Sequence, residues 1–190
     1  MKSLNDQERE VINAKLIESC EQCWSRYGYK KTGIRELCEL AGIPSGSFYM
    51  FYPSKEHLFF QTAQAMSDRI TGVLYENIPD NPTKYDFAEA MKRFFAELEK
   101  NEWFLLMETE MEGILRKLPQ EFINESLVKG VAEMAEVIEK FKLKLRVSTD
   151  VFTCFFTMLS PILMNKKNIG EPYHETFAYM LNTMIENMVE

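Results

Sequence analysis

The stretch that decides the fold reads T-G-I-R-E-L-C-E-L-A-G-I-P-S-G-S-F-Y-M-F-Y-P-S-K and spans residues 32–55. Its first half predicts a short helix, because its apolar residues recur with the i, i+3, i+4, i+7 spacing of one helix face. Thr32 is the expected N-cap of this helix and Gly42 its expected end. The apolar face consists of Ile34, Leu37, Cys38 and Ala41.

The second half predicts a very short helix over about residues 44–51, which Pro44 begins and Pro53 follows. Two short helices joined by a tight, glycine-containing turn are typical of a helix-turn-helix, whose second helix enters the major groove of DNA. Small side chains on its outer face would let the backbone approach bases and phosphates closely. The residues expected to face outward are Ser45, Gly46, Ser47, Tyr49 and Met50.

Helical periodicity continues on both sides of this stretch. Upstream, apolar residues at steps of three and four predict a first helix from about residue 7 to 27, which Gly28 ends. Downstream, Ser54 is the expected cap of a fourth helix over about 55–77. Further helices are predicted at roughly 83–100, 103–117, 119–142, 148–166 and 173–189. Since no segment keeps a strand period for long, the predicted fold class is all-α.

The distribution of charge matters more than its sum. The chain carries a net charge of −7, which taken alone argues against a nucleic-acid partner. Residues 1–55, however, hold eight basic and seven acidic residues, whereas residues 56–190 hold 14 and 22. Four of the basic residues cluster around the motif, which permits DNA binding without demonstrating it. They are Lys30, Lys31, Arg35 and Lys55.

Several other classes of protein find no support in the sequence. The N-terminal residues lack the apolar run of a signal peptide and no stretch has the length of a membrane span, so we expect a cytoplasmic protein without a membrane partner. Cys20 and Cys23 lack the further ligands of a zinc site; we expect core residues and no metal, with a thiol redox sensor as the alternative. His57 and His174 have no accompanying catalytic motif, so neither an enzyme nor a cofactor is predicted.

The motif resembles the N-terminal motif of the TetR family of regulators. The resemblance covers about the first third of the chain and departs from the family pattern at Pro44, where serine is usual, and at Gly33, where a second threonine or serine is common. The matching positions are Tyr27–Tyr29, Thr32, Ile34, Leu37, Ala41–Ile43, Gly46–Tyr49, Phe51–Tyr52 and Ser54–Glu56.

The resemblance implies a transcriptional repressor with two domains. Residues 1–55 would form a three-helix DNA-binding domain, the fourth helix would link the two parts, and residues 56–190 would form a helical domain for ligand binding and dimerisation. It implies a homodimer that binds palindromic operator DNA and is released by a small, largely apolar effector. The residues expected to contact DNA are Thr32, Arg35, Ser45, Gly46, Ser47, Tyr49, Met50 and Lys55, the last at a phosphate.

Aromatic and methionine residues are the candidates for the effector pocket and the partner surface. A carboxylate from Glu108, Glu110 or Glu112 that faced inward would favour a cationic ligand, whereas solvated acids beside ordinary core aromatics are the alternative. The predicted pocket residues are Phe94, Phe95, Trp103, Phe104, Met107, Met111, Phe152, Phe156 and Met158. The predicted dimer contacts are Phe155, Leu159, Ile162, Phe177, Leu181, Met184 and Met188.

A helical protein–protein adaptor of the same fold, without specific DNA binding, remains the alternative function. The acidity of residues 56–190 is compatible with it. Binding to duplex DNA that weakens with salt would separate the two hypotheses, because phosphate contacts release counterions.

Overall fold

The computed structural model describes residues 5–164 and 166–190, leaving aside the side chains of residues 102–106, 108, 126–131, 160, 161, 164 and 167. The described residues are helical apart from turns and one isolated bridge, between Leu145 and Val189, so the predicted all-α fold is confirmed. The α-helices are α1 Asp6–Lys31, α2 Ile34–Ala41, α3 Lys55–Gly72, α4 Lys84–Lys100, α5 Glu102–Leu115, α6 Gln120–Lys140, α7 Thr149–Met164, α8 Lys166–Ile169 and α9 Tyr173–Met188. Two 3-10 helices span Ser45–Met50, here called the recognition helix, and Val73–Tyr75.

Residue contacts divide the chain into two compact units. Unit 1 contains the residues up to Arg69 together with Asn101–Gln120, and unit 2 contains Ile70–Lys100 and Glu121–Glu190. The division predicted from the sequence, at residue 55, differs from this grouping because α5 packs against α1. Periodicity along the chain carries no information about such a distant pairing.

Helix α1 begins and ends at specific polar interactions. The side-chain oxygen of Asn5 accepts a hydrogen bond from the Glu8 amide at 2.7 Å, and the Glu8 carboxylate accepts one from the Asn5 amide at 2.9 Å, which together form a capping box. The helix breaks at Gly28, whose φ of 76° and ψ of 167° are almost confined to glycine. The sequence predicted that this helix ends at Gly28; the structure has a break there, after which α1 continues to Lys31.

The core of unit 1 joins α1, α2, the recognition helix and α3. Trp24 and Phe59 have ring centroids 4.7 Å apart, and the Tyr29 ring meets Phe59 edge-on at 5.1 Å. Helix α2 ends at Gly42, whose left-handed φ of 73° lets the Ile43 amide bond the Cys38 carbonyl at 2.9 Å. The fully buried apolar side chains at this core include Leu16, Cys20, Trp24, Leu37, Cys38, Phe48, Leu58 and Phe59.

Unit 2 has an aromatic core. Phe87 on α4 lies 5.3 Å from Phe141 and 5.8 Å from Phe156, measured between ring centroids, while Phe95 meets Phe177 of α9 at 4.9 Å. Edge-to-face pairs of this kind add about 0.5–1.5 kcal/mol each beyond the burial of their area.

None of the helices that the structure describes is both long enough and apolar enough to cross a bilayer.

Candidate nucleic-acid interface

The recognition helix turns one face to the core and the other to solvent. Phe48 is fully buried, whereas Tyr49 is 64% exposed and Met50 is 40% exposed. Ser45 and Gly46, at the start of the helix, are also exposed, and Ser47 is half-buried. The outward orientation predicted for these residues agrees with the structure at four of them and in part at Ser47. A short helix anchored by one buried aromatic residue and presenting small and aromatic side chains can enter a groove of DNA.

Helix α1 holds the far end of the recognition helix. The Arg9 guanidinium donates a hydrogen bond to the Met50 carbonyl at 3.1 Å and lies 5.5 Å above the ring of Phe51. The hydroxyl of Tyr52 donates to the side-chain oxygen of Asn13. Both α1 residues therefore help to position the recognition helix. Sequence reasoning missed them, because nothing in the periodicity of α1 marks a polar residue whose partner lies about 40 positions further along.

Two of the residues predicted to contact DNA, Thr32 and Lys55, make hydrogen bonds within unit 1. Thr32 is 1% exposed, and its hydroxyl donates to the Gly28 carbonyl at 2.9 Å, so it closes the end of α1. The N-cap of α2 is Gly33, which makes no side-chain capping bond, and the prediction of Thr32 as that cap was wrong. Lys55 donates to the carbonyls of Tyr29 at 2.9 Å and Thr32 at 2.8 Å, which ties the start of α3 to the end of α1. Burial lowers the pKa of the Lys55 ammonium.

Three other cations near the motif are exposed. Lys30 and Lys31 lie in the last turn of α1, and Arg35 lies in the first turn of α2. An exposed cation can reach a phosphate without first leaving a partner in the core, so these residues suit backbone contacts better than Lys55 does. The prediction of Arg35 as a DNA contact is compatible with its position.

A polar cluster joins α5 to α1 within unit 1. One oxygen of the Glu110 carboxylate accepts hydrogen bonds from the Trp24 indole at 2.7 Å and from the Tyr29 amide at 2.8 Å. The Tyr29 hydroxyl donates to Glu56 and accepts from the Lys117 ammonium at 2.8 Å. Burial alone would raise the pKa of Glu56, but hydrogen bonds from Tyr29, its own backbone amide and Ser54, together with the charge of Lys117, lower it to about 2. Glu110, one of the three acids considered for the pocket, is thus hydrogen-bonded to α1.

The predicted pocket residues are not all brought together. A cavity of about 210 Å³ in unit 2 is lined by Phe94, Phe95 and Phe156 of the predicted set, with Phe87, Met91, Glu133 and others. Phe152 is buried beside Phe156, with ring centroids 4.8 Å apart. Met107 and Met111 belong to unit 1, and Met158 is 65% exposed, so these three do not line this cavity. The side chains of Trp103 and Phe104 lie outside the described residues.

The predicted partner surface divides in the same way. Leu159, Phe177 and Leu181 are buried within unit 2 and belong to its core. The others are half-buried, and they are Phe155, Ile162, Met184 and Met188. Among the described side chains of α7, Val151 and Met158 are large apolar residues that are exposed, at 51% and 65%. Periodicity alone did not distinguish them from the buried residues of the same helix.

The cysteines of unit 1 behave as core residues. Cys20, Cys23 and Cys38 are buried free thiols, while Cys154 is exposed. Burial raises the pKa of all three buried thiols and so disfavours the reactive thiolate. Among the side chains that the structure describes, no group of three or more His, Cys, Asp or Glu residues is placed to hold a metal ion.

Comparison with known proteins agrees with this geometry. The family model described as "Bacterial regulatory proteins, tetR family" matches residues 16–62, which include the whole helix-turn-helix. The chain is similar to the HTH-type transcriptional repressor Rv1474c of Mycobacterium tuberculosis, at 22% identity over 92% of this chain and 90% of that protein. The fold and the matched motif define a helix-turn-helix regulator of transcription. The match over residues 16–62, together with these similarities, supports a TetR family regulator.

Solved structures share the fold at low identity. A putative TetR family transcriptional regulator from Vibrio parahaemolyticus superposes with a TM-score of 0.66 at 16% identity, covering 93% of this chain and 98% of that one. RolR, in a complex with resorcinol, superposes with a TM-score of 0.59 at 20% identity, covering 95% and 90%. These likenesses extend over both units.

Proposed function

We propose that this chain is a ligand-responsive repressor that binds palindromic operator DNA as a homodimer and is released by a small, largely apolar molecule. The observation that carries the proposal is the recognition helix, with Phe48 fully buried and Tyr49 and Met50 turned outward. We also propose a non-enzymatic role in the cytoplasm, which the relative named as a repressor supports.

On DNA, the recognition helix would read base edges while neighbouring cations hold the backbone. Ser45 and Gly46 would allow close approach, the Tyr49 hydroxyl would bond a base or phosphate, and Met50 would contact a thymine methyl group. Arg35, exposed on the first turn of α2, would bind a phosphate. Two such helices related by two-fold symmetry would match the two halves of a palindrome.

The cavity in unit 2 supports an apolar effector. Its lining is dominated by aromatic and aliphatic side chains, with Glu133, Thr71 and Thr157 as the polar residues. A cavity of about 210 Å³ favours a small ring compound, and the resorcinol that forms a complex with RolR is a compound of that kind. An effector that binds one conformation more tightly than the other would shift the population of the DNA-binding state.

A stripe on α7 supports the homodimer. Val151 and Met158 are exposed, and the half-buried Phe155 and Ile162 follow the same spacing along the helix. Contiguous apolar surface on a helix face is typical of a protein–protein contact. The same surface is what the adaptor hypothesis would use, so only DNA binding separates the two.

Selection of bound sequences from a random duplex library by the purified protein tests the proposal. We expect enrichment of a palindrome, with an affinity that falls as salt rises. Tyr49→Ala should weaken binding to the enriched duplex by roughly tenfold or more, since a base contact contributes about 1–3 kcal/mol. Tyr85→Ala is the matched control, because Tyr85 is also 64% exposed but lies on α4 in unit 2.

The outcomes are separable. A wild-type protein that enriches no sequence and shows no salt-dependent binding favours the adaptor. Enrichment of a palindrome with equal affinity for Tyr49→Ala and wild type would contradict the assignment of the recognition helix.

A further inference from the structure

We propose that Glu110, on α5, is a positioning residue for DNA binding. Its carboxylate fixes the backbone conformation at the end of α1, directly before the helix-turn-helix begins. This inference rests on the DNA binding proposed above. Glu110 lies outside residues 16–62, which the family model matches, yet its side chain completes the same compact unit.

The kink at Gly28 leaves a backbone amide without its helical acceptor, and Glu110 accepts the hydrogen bond from that amide. A residue after a helix break loses the carbonyl that its amide would otherwise bond, and a buried amide without a partner is destabilising. Tyr29, 6% exposed, is in this position, and its amide donates to Glu110 at 2.8 Å. The indole of Trp24, which is fully buried, donates to the same oxygen at 2.7 Å. One carboxylate therefore satisfies two donors on opposite sides of the kink.

The kink and the carboxylate also fit each other sterically. A β-carbon added to Gly28 would lie 2.9 Å from one carboxylate oxygen of Glu110, closer than side chains pack. The positive φ of 76° independently requires glycine at this position. The backbone of α1 and the side chain from α5 thus approach each other only because residue 28 has no side chain.

A short path leads from this contact to the recognition motif. The Tyr29 ring lies against Phe59, and the Lys55 ammonium lies 4.2 Å from the centroid of that Tyr29 ring. Lys55 in turn holds the carbonyls of Tyr29 and Thr32, and Gly33, next in the chain, is the N-cap of α2. A displaced Tyr29 would therefore move the start of α2, and with it the exposed face that meets DNA.

The remaining charges around Tyr29 come from α3 and from the turn that follows α5. The Tyr29 hydroxyl is bonded by Glu56 and Lys117, and Lys117 lies 3.5 Å from the Glu56 carboxylate. These contacts hold the hydroxyl end of the Tyr29 ring, whereas Glu110 holds the backbone amide of Tyr29. Loss of Glu110 alone should release the backbone while leaving the ring attached, so the protein should fold and bind DNA less well.

The test compares Glu110→Gln and Glu110→Ala with Glu112→Gln. Glu112 lies on the same helix, 76% exposed and paired with Arg116, so its variant is a matched control. The probe is the duplex enriched from a random library by the wild-type protein, and binding is measured by fluorescence anisotropy at a temperature where circular dichroism shows every variant folded. Exchange of the Tyr29 amide hydrogen is followed by mass spectrometry or NMR.

We expect Glu110→Gln, which keeps an oxygen acceptor but no charge, to weaken DNA binding roughly tenfold, and Glu110→Ala to weaken it further. Tyr29 amide exchange should rise in the same order, and Glu112→Gln should match the wild type in both. If Glu110→Ala does not fold, the Gln variant still decides the matter. Wild-type affinity in folded Glu110→Gln, or unchanged amide exchange, would overturn the inference. A wild-type protein that binds no duplex would instead refute the proposed function, and exchange at Tyr29 would still report on the contact.

Discussion

Replacing Gly28 with alanine should destabilise unit 1, whereas the same change at Gly113 should stabilise it. At Gly28 the backbone has φ 76° and ψ 167°, a region that costs other residues of order 1–3 kcal/mol. The new β-carbon would also stand 2.9 Å from a Glu110 oxygen and push away a carboxylate that accepts two hydrogen bonds. Loss of one hydrogen bond to a charged group costs about 1.5–3 kcal/mol, so together with the backbone cost the expected total is roughly 2.5–6 kcal/mol.

Gly113 is the matched control because it lies in the same unit, inside α5, and a β-carbon there would meet nothing within 4 Å. An alanine inside a helix is more stable than a glycine by about 0.5–1 kcal/mol. Urea unfolding followed by circular dichroism measures both variants, with the free energy taken by linear extrapolation. If Gly28→Ala lowers the free energy of unfolding by less than about 1 kcal/mol, the explanation of the kink is refuted, because the backbone strain alone should cost at least that much.

Two further predictions concern charge and assembly. The pKa of Glu56 is lowered from 4.5 to about 2, so its carboxylate should add stability that is complete above about pH 4.5 and is lost as the pH falls toward 2. The stability difference between wild type and Glu56→Gln, measured by urea unfolding, should therefore be constant near neutral pH and shrink over that window; a constant difference down to pH 2 would contradict the shift. Met158→Arg places a charge on the exposed stripe of α7 and should convert a dimer to a monomer in light scattering. Tyr85→Arg on α4 is the control, because Tyr85 is 64% exposed and Met158 65%. A monomeric wild type would refute the homodimer, and a dimeric Met158→Arg would place the contact elsewhere.

The helix-turn-helix illustrates what local pattern can predict. The spacing of Leu37, Cys38 and Ala41 predicts a buried face, and all three are buried. Tyr49 was predicted to face outward and is exposed, while its neighbour Phe48 is buried, since neighbouring positions of a short helix point in different directions. Thr32 shows the limit, because a threonine between two helices can close the first or begin the second, and the pattern does not distinguish these roles.

In unit 2, periodicity predicted the helices but not the assignment of their faces. Leu159, Phe177 and Leu181 were expected at a partner surface and are buried in their own unit, whereas Met158 was expected in a pocket and is 65% exposed. A broad apolar stripe contains residues for both the core and any further contact. Which part meets the core depends on how the helices pack, and that information is not local.

The sequence by itself determined the all-α class, the helix-turn-helix and the outward side of its second helix, because helix periodicity, caps and glycine stops act over a few residues. Only the tertiary structure decided that Glu110 meets Trp24 and Tyr29, 86 and 81 positions away, and that Lys55 bonds α1. A polar side chain finds such a partner only after packing has brought distant helices together, and the bond then forms because a buried donor left without an acceptor is destabilising.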